Sequence, residues 1–313
     1  MGEARAQPGS PPQAVSISTD LAALLQERRL TVVTAQPVTT WPSDVRPSAF
    51  RLELDDGSVL KARQFPSVRR AHTVERILQM TLSGFPQPMA RHGCALLLPW
   101  IEGDVLASLD SIPLDVIHRC GANLGALHRQ DVSDWPDVVV RQADEVLARV
   151  RSDTTILVEA GELEKHAAAG AHTLANEHAP GTASAGIIHN DFCSENIVLD
   201  ASGTPVCVDN ATLTFGPHDY DLARSWYRWP MSPGESEAFL HGYETHRSGA
   251  SFEHHFVFWA ICMLTATAAN RLRMGIGDHA KSLDALRSIL AAFERGEPVR
   301  PWKARQTEGG SQH

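Results

Sequence analysis

The sequence predicts an α+β fold with a small β-rich lobe, a short connector and a larger, mainly helical lobe. Residues 48–65 alternate apolar and polar side chains around Asp55-Asp56-Gly57, which is the pattern of a β-hairpin. Helical periodicity begins at Leu114 and dominates the rest of the chain, interrupted by a small hairpin at about 186–208. The connector lies at 99–103.

The remaining elements follow from short apolar runs and helical spacing. In the small lobe, the pattern predicts a helix at 68–82 and a strand at 94–98. In the large lobe it predicts helices at 114–129, within 140–178 and within 220–293, and strands at 186–188, 197–200 and 206–208.

These patterns divide the chain along its length. Both ends are rich in polar and loop-forming residues, which is typical of disorder. We expect a disordered tail at 1–16, a small lobe at 17–98, the connector at 99–103, a helical lobe at 104–305 and a second disordered tail at 306–313.

Composition excludes several classes of protein. The 313 residues include 28 basic and 37 acidic side chains, and the resulting net charge of −9 has the wrong sign for binding nucleic acid. The longest apolar run, 256–269, is too short to span a bilayer and predicts a buried helix. The first thirty residues show no signal-peptide pattern. The five cysteines form no CxxC pair, which favours a reducing cytoplasm over a disulfide framework or a zinc site.

Charge is unevenly distributed along the chain. Residues 45–91 carry eight Lys or Arg against four Asp or Glu, whereas residues 131–180 carry four against ten. The first region favours an anionic ligand and the second a cationic one. Two ordinary solvated faces are the alternative interpretation.

The most informative segment has the pattern H-x-D-x-x-x-x-N, followed by an apolar strand that ends in Asp. It comprises His189, Asp191, Asn196 and, after the strand, Asp209. Phosphoryl transfer requires a carboxylate that orients the acceptor hydroxyl, together with oxygen ligands for Mg²⁺. Asp191 can supply the first, and Asn196 with Asp209 the second, if the hairpin brings its ends together. A surface loop rich in Asx turns is the alternative.

At these residues the chain resembles the aminoglycoside phosphotransferase family, which has a protein-kinase-like bilobal fold. The resemblance implies a nucleotide-binding N-lobe at 17–98, a hinge at 99–103 and a helical C-lobe at 104–305 that contains the catalytic loop and the substrate site. The similar segments, in order along the chain, are Leu97–Gly103 for the hinge, Leu124–His128 for a helix end, Gly186–Asn196 for the catalytic loop, Val208-Asp209 for the metal-binding strand end and Gly216–Ala223 for the following G-x-P-x-x-D-L-A stretch.

The resemblance implies roles for five residues of the large lobe. Asp191 would be the catalytic carboxylate, and Asn196 and Asp209 would bind Mg²⁺. His189 and Asp221 would support the catalytic loop, Asp221 by accepting hydrogen bonds from its backbone N–H groups. For Asp221, a helix N-cap is the alternative interpretation.

The resemblance also implies a nucleotide site in and next to the small lobe. Lys61 would contact the α- and β-phosphates and pair with Glu75 in the next helix. Arg63 lies two residues further along the strand, on the same face, and is the alternative. Trp100 and Ile101 would line the hinge. Exposed strand charges for the two basic residues, and a surface helix position for Glu75, are the alternative interpretation.

One departure from the family pattern concerns the phosphates: residues 37–50, before Lys61, contain no glycine, so the kinase Gly-rich loop is missing.

The predicted function is transfer of the γ-phosphate of ATP or GTP to a hydroxyl of a small molecule. The acidic excess at 131–180 favours a cationic acceptor such as an aminoglycoside or another antibiotic, with antibiotic resistance by modification as the result, and choline-like and sugar-like acceptors are the alternatives. A non-catalytic, kinase-like protein that binds nucleotide or another ligand is the alternative, and the sequence leaves the oligomeric state open.

Overall fold

The computed structural model describes residues 17–38, 48–80, 82–133, 135, 143–275, 277 and 279–301. The tails predicted at 1–16 and 306–313 lie outside the described residues, and so does most of the glycine-free segment 37–50. The described chain divides into two units, which are treated separately below.

The first unit is built on a five-stranded antiparallel sheet with the strand order β1-β2-β3-β5-β4. Its elements are α1 (Thr19–Glu27), β1 (Val32–Pro37), β2 (Ala49–Leu54), β3 (Val59–Gln64), α2 (Val68–Leu78, which continues into the second unit), β4 (Ala90–His92) and β5 (Ala95–Pro99). Leucines of α1 pack against Phe50, Leu52 and Leu97 of the sheet and close its core.

The predicted hairpin forms β2 and β3, and local chemistry sets its turn. Asp56 Oδ1 accepts a hydrogen bond from the backbone N–H of Ser58 at 2.9 Å, and Gly57 has a φ of 82°. This left-handed conformation favours glycine. The register places Lys61, on the central strand β3, opposite Arg51 on one side and Leu98 on the other.

The boundary between the units differs from the one predicted. Arg76–Pro86 groups with the second unit, which resumes at Ile101, whereas the sequence pattern assigned all of 17–98 to the small lobe. A backbone hydrogen bond shows the reason: the carbonyl of Gly84 accepts from the N–H of Cys207 at 2.8 Å. Such a contact, between residues far apart in the chain, leaves no trace in local periodicity.

The second unit is mainly helical and contains two small antiparallel sheets. The sheets have the strand orders β6-β8-β9 and β7-β10. Its strands are β6 (Gly103–Val105), β7 (Ala185–Ile188), β8 (Ile197–Asp200), β9 (Pro205–Cys207) and β10 (Thr214–Pro217). Its helices are α3 (Leu114–His128), α4 (Ala143–Glu159), α5 (Lys165–Glu177), α6 (His218–Arg228), α7 (Pro233–Glu244), α8 (Ala250–His254), α9 (Phe256–Arg273) and α10 (His279–Glu294), with 3-10 turns at Leu106–Ser108 and Ser194–Asn196.

Helix α9 forms the centre of this unit. Residues 256–269, the long apolar run of the sequence, are all buried, and α9 packs against α4, α5, α6 and α10. A helix that is apolar on all sides is typical of a core that is covered from several directions. No helix in the described part of the chain is long and apolar enough to cross a membrane.

Helices α3 and α7 cross at very short range because glycines lie at the contact. A Cβ on Gly121 would overlap the carbonyl oxygen of Phe239, and one on Gly242 would overlap the carbonyl oxygen of His118. Only residues without a side chain allow two backbones to approach so closely. The crossing also positions Tyr243, on α7, against His128 at the end of α3.

We expect Gly121→Ala to lower the free energy of unfolding by about 1–3 kcal/mol, because the two helices must separate to admit the methyl group. Urea unfolding followed by circular dichroism would measure the change. Gly170→Ala, on α5, is the matched control, because its Cβ would meet only Leu290 Cδ2, at an ordinary 3.7 Å. Helix propensity alone should make the control neutral or stabilising. Equal effects of the two substitutions would contradict the close crossing.

Candidate active site

The predicted catalytic loop follows β7 directly and leads through a 3-10 turn at Ser194–Asn196 into β8. Asn190 has a φ of 63°, in the left-handed region that Asn adopts more readily than most residues. This conformation turns the chain sharply after the buried strand. As a result, the next side chain, that of Asp191, is about one-fifth exposed.

Both carboxylate oxygens of Asp191 are held by neighbouring donors. Arg224 donates to Oδ1 from Nε at 3.1 Å and from an Nη atom at 3.0 Å, and Arg228 lies 3.4 Å from the same oxygen. Asn196 Nδ2 donates to Oδ2 at 3.1 Å and to the backbone carbonyl of Asp191 at 2.9 Å. The carboxylate therefore has a defined orientation.

Two opposing effects act on the pKa of Asp191. Burial alone would raise the pKa of the carboxyl, but the positive charges of Arg224 and Arg228 outweigh this effect and hold it below its ordinary value. The carboxylate is therefore ionised at neutral pH, which is the form that can accept a hydrogen bond from a hydroxyl group.

Asp221 is completely buried beneath the loop. Its carboxylate accepts hydrogen bonds from the backbone N–H of His189 at 2.6 Å and of Asn190 at 2.7 Å, and His128 Nε2 lies 3.1 Å from it. Burial raises the pKa of Asp221, and the hydrogen bonds from the loop only partly offset this effect. The N-cap of α6 is Pro217, so the alternative N-cap interpretation of Asp221 is not what the structure shows.

His189 is buried, and its surroundings select one tautomer. Its Nδ1 accepts a hydrogen bond from the backbone N–H of Asp191 at 3.2 Å. The ring proton therefore belongs on Nε2, which lies 3.2 Å from Asn210 Oδ1 and 3.1 Å from Cys207 Sγ. The ring thus links the loop to the segment that follows β9.

Asn196 and Asp209 are brought to the same end of the small sheet. Strands β8 and β9 pair with Ile197 opposite Cys207, and the backbone N–H of Val208 donates to the carbonyl of Asn196 at 2.8 Å. Because Asn196 Nδ2 is directed at Asp191, its Oδ1 is the atom left to bind a cation. An amide oxygen and a carboxylate fit Mg²⁺, which prefers few protein ligands and completes its shell with phosphates and water. Within the described residues, no group of three or more His, Cys, Asp and Glu side chains could hold a metal ion.

The structure adds three residues of α6 that sequence reasoning missed: Arg224, Ser225 and Arg228. Ser225 Oγ donates to the carbonyl of Phe192 at 2.8 Å, and Arg228 pairs with Glu195 at 2.5 Å. A polar stripe at helical spacing from Asp221 onward is the signal that could have revealed them.

Four of the residues predicted to bind nucleotide lie in the first unit. Lys61 and Arg63 are on β3, and Lys61 is only 9% exposed. Glu75, on α2, pairs with Arg91 Nε at 2.6 Å, so its pairing with Lys61 stays a prediction. The guanidinium of Arg51 lies over the ring of Trp100, 5.4 Å from its centroid. Ile101 begins the second unit.

The loop therefore combines three chemical features: an oriented, ionised carboxylate, oxygen atoms suited to bind a hard cation, and a buried hydrogen-bond network that fixes the backbone.

A family model described as "Phosphotransferase enzyme family" matches residues 12–253, about three-quarters of the chain. The matched region contains every residue discussed in this site. No curated protein matches the chain by sequence.

Solved structures with similar folds include three from bacteria. The macrolide 2'-phosphotransferase MphH of Brachybacterium faecium has a TM-score of 0.59 at 16% identity, covering 86% of this chain and 96% of its own. The aminoglycoside phosphotransferase of Alicyclobacillus acidocaldarius has a TM-score of 0.57 at 15% identity, covering 92% and 98%. The choline kinase LicA of Streptococcus pneumoniae has a TM-score of 0.60 at 12% identity, covering 87% and 99%. These similarities confirm the predicted kinase-like fold.

Proposed function

Because this chain belongs to the phosphotransferase enzyme family, we propose that it transfers the γ-phosphate of ATP or GTP to a hydroxyl group of a small molecule. Membership in the family confirms the class of enzyme that the sequence predicts. The observation that carries the specific proposal is the Asp191 carboxylate, which is ionised, partly exposed and held by Arg224 and Asn196.

In the proposed reaction, Asp191 accepts a hydrogen bond from the acceptor hydroxyl and takes its proton during the transfer. The hydroxyl oxygen forms a bond to the γ-phosphorus. The bond from that phosphorus to the β–γ bridging oxygen breaks, and its electron pair leaves with the nucleoside diphosphate. Asn196 and Asp209 would hold Mg²⁺, which would offset the negative charge of the phosphates.

The nucleotide phosphates must also be held from the small lobe. We assign this role to Lys61, with Arg63 as the alternative, Glu75 as a supporting carboxylate, and Trp100 and Ile101 beside the base. The central position of Lys61 in the sheet and its low exposure support the assignment, because a nearly buried lysine has a defined position.

We expect Lys61→Ala to raise the KM for nucleotide by about 5- to 150-fold, because the loss of one hydrogen bond to a charged phosphate costs about 1–3 kcal/mol. Arg63→Ala, two residues along the same strand, should change the KM much less. Steady-state kinetics with ATP and with GTP would measure both. A larger rise in KM for Arg63→Ala than for Lys61→Ala would assign the role to Arg63. If neither substitution changes the KM, other groups must bind the phosphates.

We propose that the acceptor is a cation, on the basis of the acidic excess at residues 131–180. The acidic excess favours a cation, but several of its carboxylates already have partners: Asp153 pairs with Arg273 at 2.9 Å, and Glu162 with His279 at 3.1 Å. A cationic acceptor therefore depends on the other acidic side chains of α4 and α5. The proposal of antibiotic resistance in turn depends on a cationic antibiotic being the acceptor.

We also propose a cytoplasmic location, which is supported by the five cysteines, all of them free thiols.

A direct assay tests the function. Purified protein with Mg²⁺ and γ-labelled ATP or GTP would be offered kanamycin, erythromycin, choline and the neutral sugar glucose, with and without EDTA. Transfer of label to one of them, abolished by EDTA, supports the proposal, and the choice among the four reports the acceptor charge. Nucleotide binding without any transfer would favour the non-catalytic alternative, which the missing Gly-rich loop suggests.

A further inference from the structure

One face of α6 contacts the catalytic loop along its whole length. Asp221, Arg224, Ser225 and Arg228 have the spacing i, i+3, i+4 and i+7, which places them on one side of a helix. Their partners also follow in order: the N–H groups of residues 189 and 190, then Asp191, the carbonyl of residue 192, and finally Asp191 again with Glu195.

The members of this face act on different parts of the loop. Asp221 and Ser225 bind backbone atoms, so they determine the path of the chain. Among the described residues, the hydrogen bonds of Arg224 go to the side chain of Asp191, through two N–H groups at 3.0 and 3.1 Å. A planar guanidinium with two such bonds restricts rotation of the carboxylate far more than a single point charge would.

From this arrangement we propose that Arg224 is a positioning residue, which holds the Asp191 carboxylate in the orientation needed to receive the acceptor hydroxyl. The proposal rests on the proposed function of Asp191. Arg228 has a lesser part, because its contact with Asp191 is longer, at 3.4 Å, and its other Nη atom is bound to Glu195.

The same geometry assigns the two carboxylate oxygens. Oδ1 of Asp191 faces Arg224 and Arg228, whereas Oδ2 accepts one hydrogen bond among the described residues, from Asn196. A carboxylate oxygen has two lone pairs. Oδ2 therefore keeps a lone pair that could accept a hydrogen bond from the acceptor hydroxyl, whereas Oδ1 is the oxygen held by the two arginines.

The test compares Arg224→Ala with Arg224→Lys. Lysine keeps the positive charge but cannot donate two parallel hydrogen bonds from a planar group. Each variant would be assayed with labelled ATP and whichever of kanamycin, erythromycin, choline or glucose the wild type phosphorylates, or with water as acceptor if it phosphorylates none. We expect kcat of Arg224→Ala to fall about 10²-fold, the scale of a 1 Å misplacement, with the KM for ATP within twofold of wild type. We expect kcat of Arg224→Lys to lie between that of the wild type and that of Arg224→Ala. Added guanidinium ion should restore part of the activity of Arg224→Ala.

Arg273→Ala is the matched control, because Arg273 pairs with the nearly buried Asp153 on helices that do not form the loop. It should lose stability without a selective fall in kcat. An unchanged or raised kcat in Arg224→Ala would overturn the proposal. A fall in kcat that only follows the folded fraction, without rescue by guanidinium, would overturn it as well.

A crystal structure of Arg224→Ala gives a readout independent of activity. The Asp191 carboxylate should be displaced or adopt more than one orientation, while the Asp221 hydrogen bonds to the loop remain. If the Asp191 carboxylate keeps its wild-type orientation in Arg224→Ala, the positioning role is overturned even if kcat of the variant falls. A wild-type protein that transfers phosphate neither to the four compounds nor to water, and yet shows the displacement in the variant, would instead contradict the proposed function.

Discussion

Asp191→Asn is expected to reduce kcat by about 10²–10⁴-fold, the usual contribution of a general base. The substitution is nearly isosteric, and its amide oxygen can still accept from Arg224. The new NH2 group cannot accept from Asn196 Nδ2, but that donor keeps its hydrogen bond to the backbone carbonyl of residue 191, so the loop should keep its shape. What is lost is the ability to accept the proton of the acceptor hydroxyl. Steady-state kinetics with the acceptor found in the assay, or with water, would measure the loss.

Calorimetric titration with MgATP would separate catalysis from binding, and we expect a Kd within about twofold of wild type, because Asp191 does not contact the nucleotide in the proposed reaction. Asp200→Asn is a suitable control: Asp200 accepts from the N–H groups of Ser202 and Thr204 in a turn that Asn also supports. Its kcat should stay near wild type. Turnover by Asp191→Asn within threefold of wild type would refute the role of Asp191.

The second large effect is expected on stability, in Asp221→Ala. Removal of this buried carboxylate deprives two backbone N–H groups of their acceptor, that of the buried His189 and that of the partly buried Asn190. Each such group costs about 1–3 kcal/mol, so the two together should lower the free energy of unfolding by about 2–6 kcal/mol. Since domains are stable by only about 5–15 kcal/mol, much of the stability would be lost.

Urea unfolding would measure this loss, with Asp219→Ala as the control. Asp219 is also buried on α6, but among the described residues its carboxylate accepts from the hydroxyl of Ser251, at 2.7 Å, and not from backbone N–H groups of the loop. We therefore expect the control to cost clearly less than Asp221→Ala. A larger effect at Asp219 than at Asp221 would mean that the hydrogen bonds to the loop are not the main contribution of Asp221.

Much of the fold could be predicted because its elements follow from local patterns. The hairpin of β2 and β3, helix α3 and the buried helix α9 all lie where alternation or apolar runs place them. Strands β4 and β10 were not predicted, since at three and four residues they are too short for a period to be recognised. The allocation of Arg76–Pro86 to the second unit depends on contacts between distant residues.

The sequence by itself determined the residue types of the site: a carboxylate, an amide and a second carboxylate at 191, 196 and 209. Asp191 and Asn196 precede one short hairpin and Asp209 follows it, so their spacing along the chain already limits how far apart they can be. The family and its chemistry follow from the same segment, because the requirements of phosphoryl transfer are few and local.

Only the tertiary structure decided what surrounds that carboxylate. Arg224 is 33 residues from Asp191 in the chain, and His128 is 93 residues from Asp221, yet both pairs are in contact. An arginine on a helix is ordinarily a surface residue, and although helical spacing groups Arg224 with Asp221 on one face, it does not tell what that face covers. Packing of α6 beneath the loop makes that choice, because the buried N–H groups of the loop require an acceptor and Asp221 supplies it. The turns of the helix then direct Arg224 to Asp191.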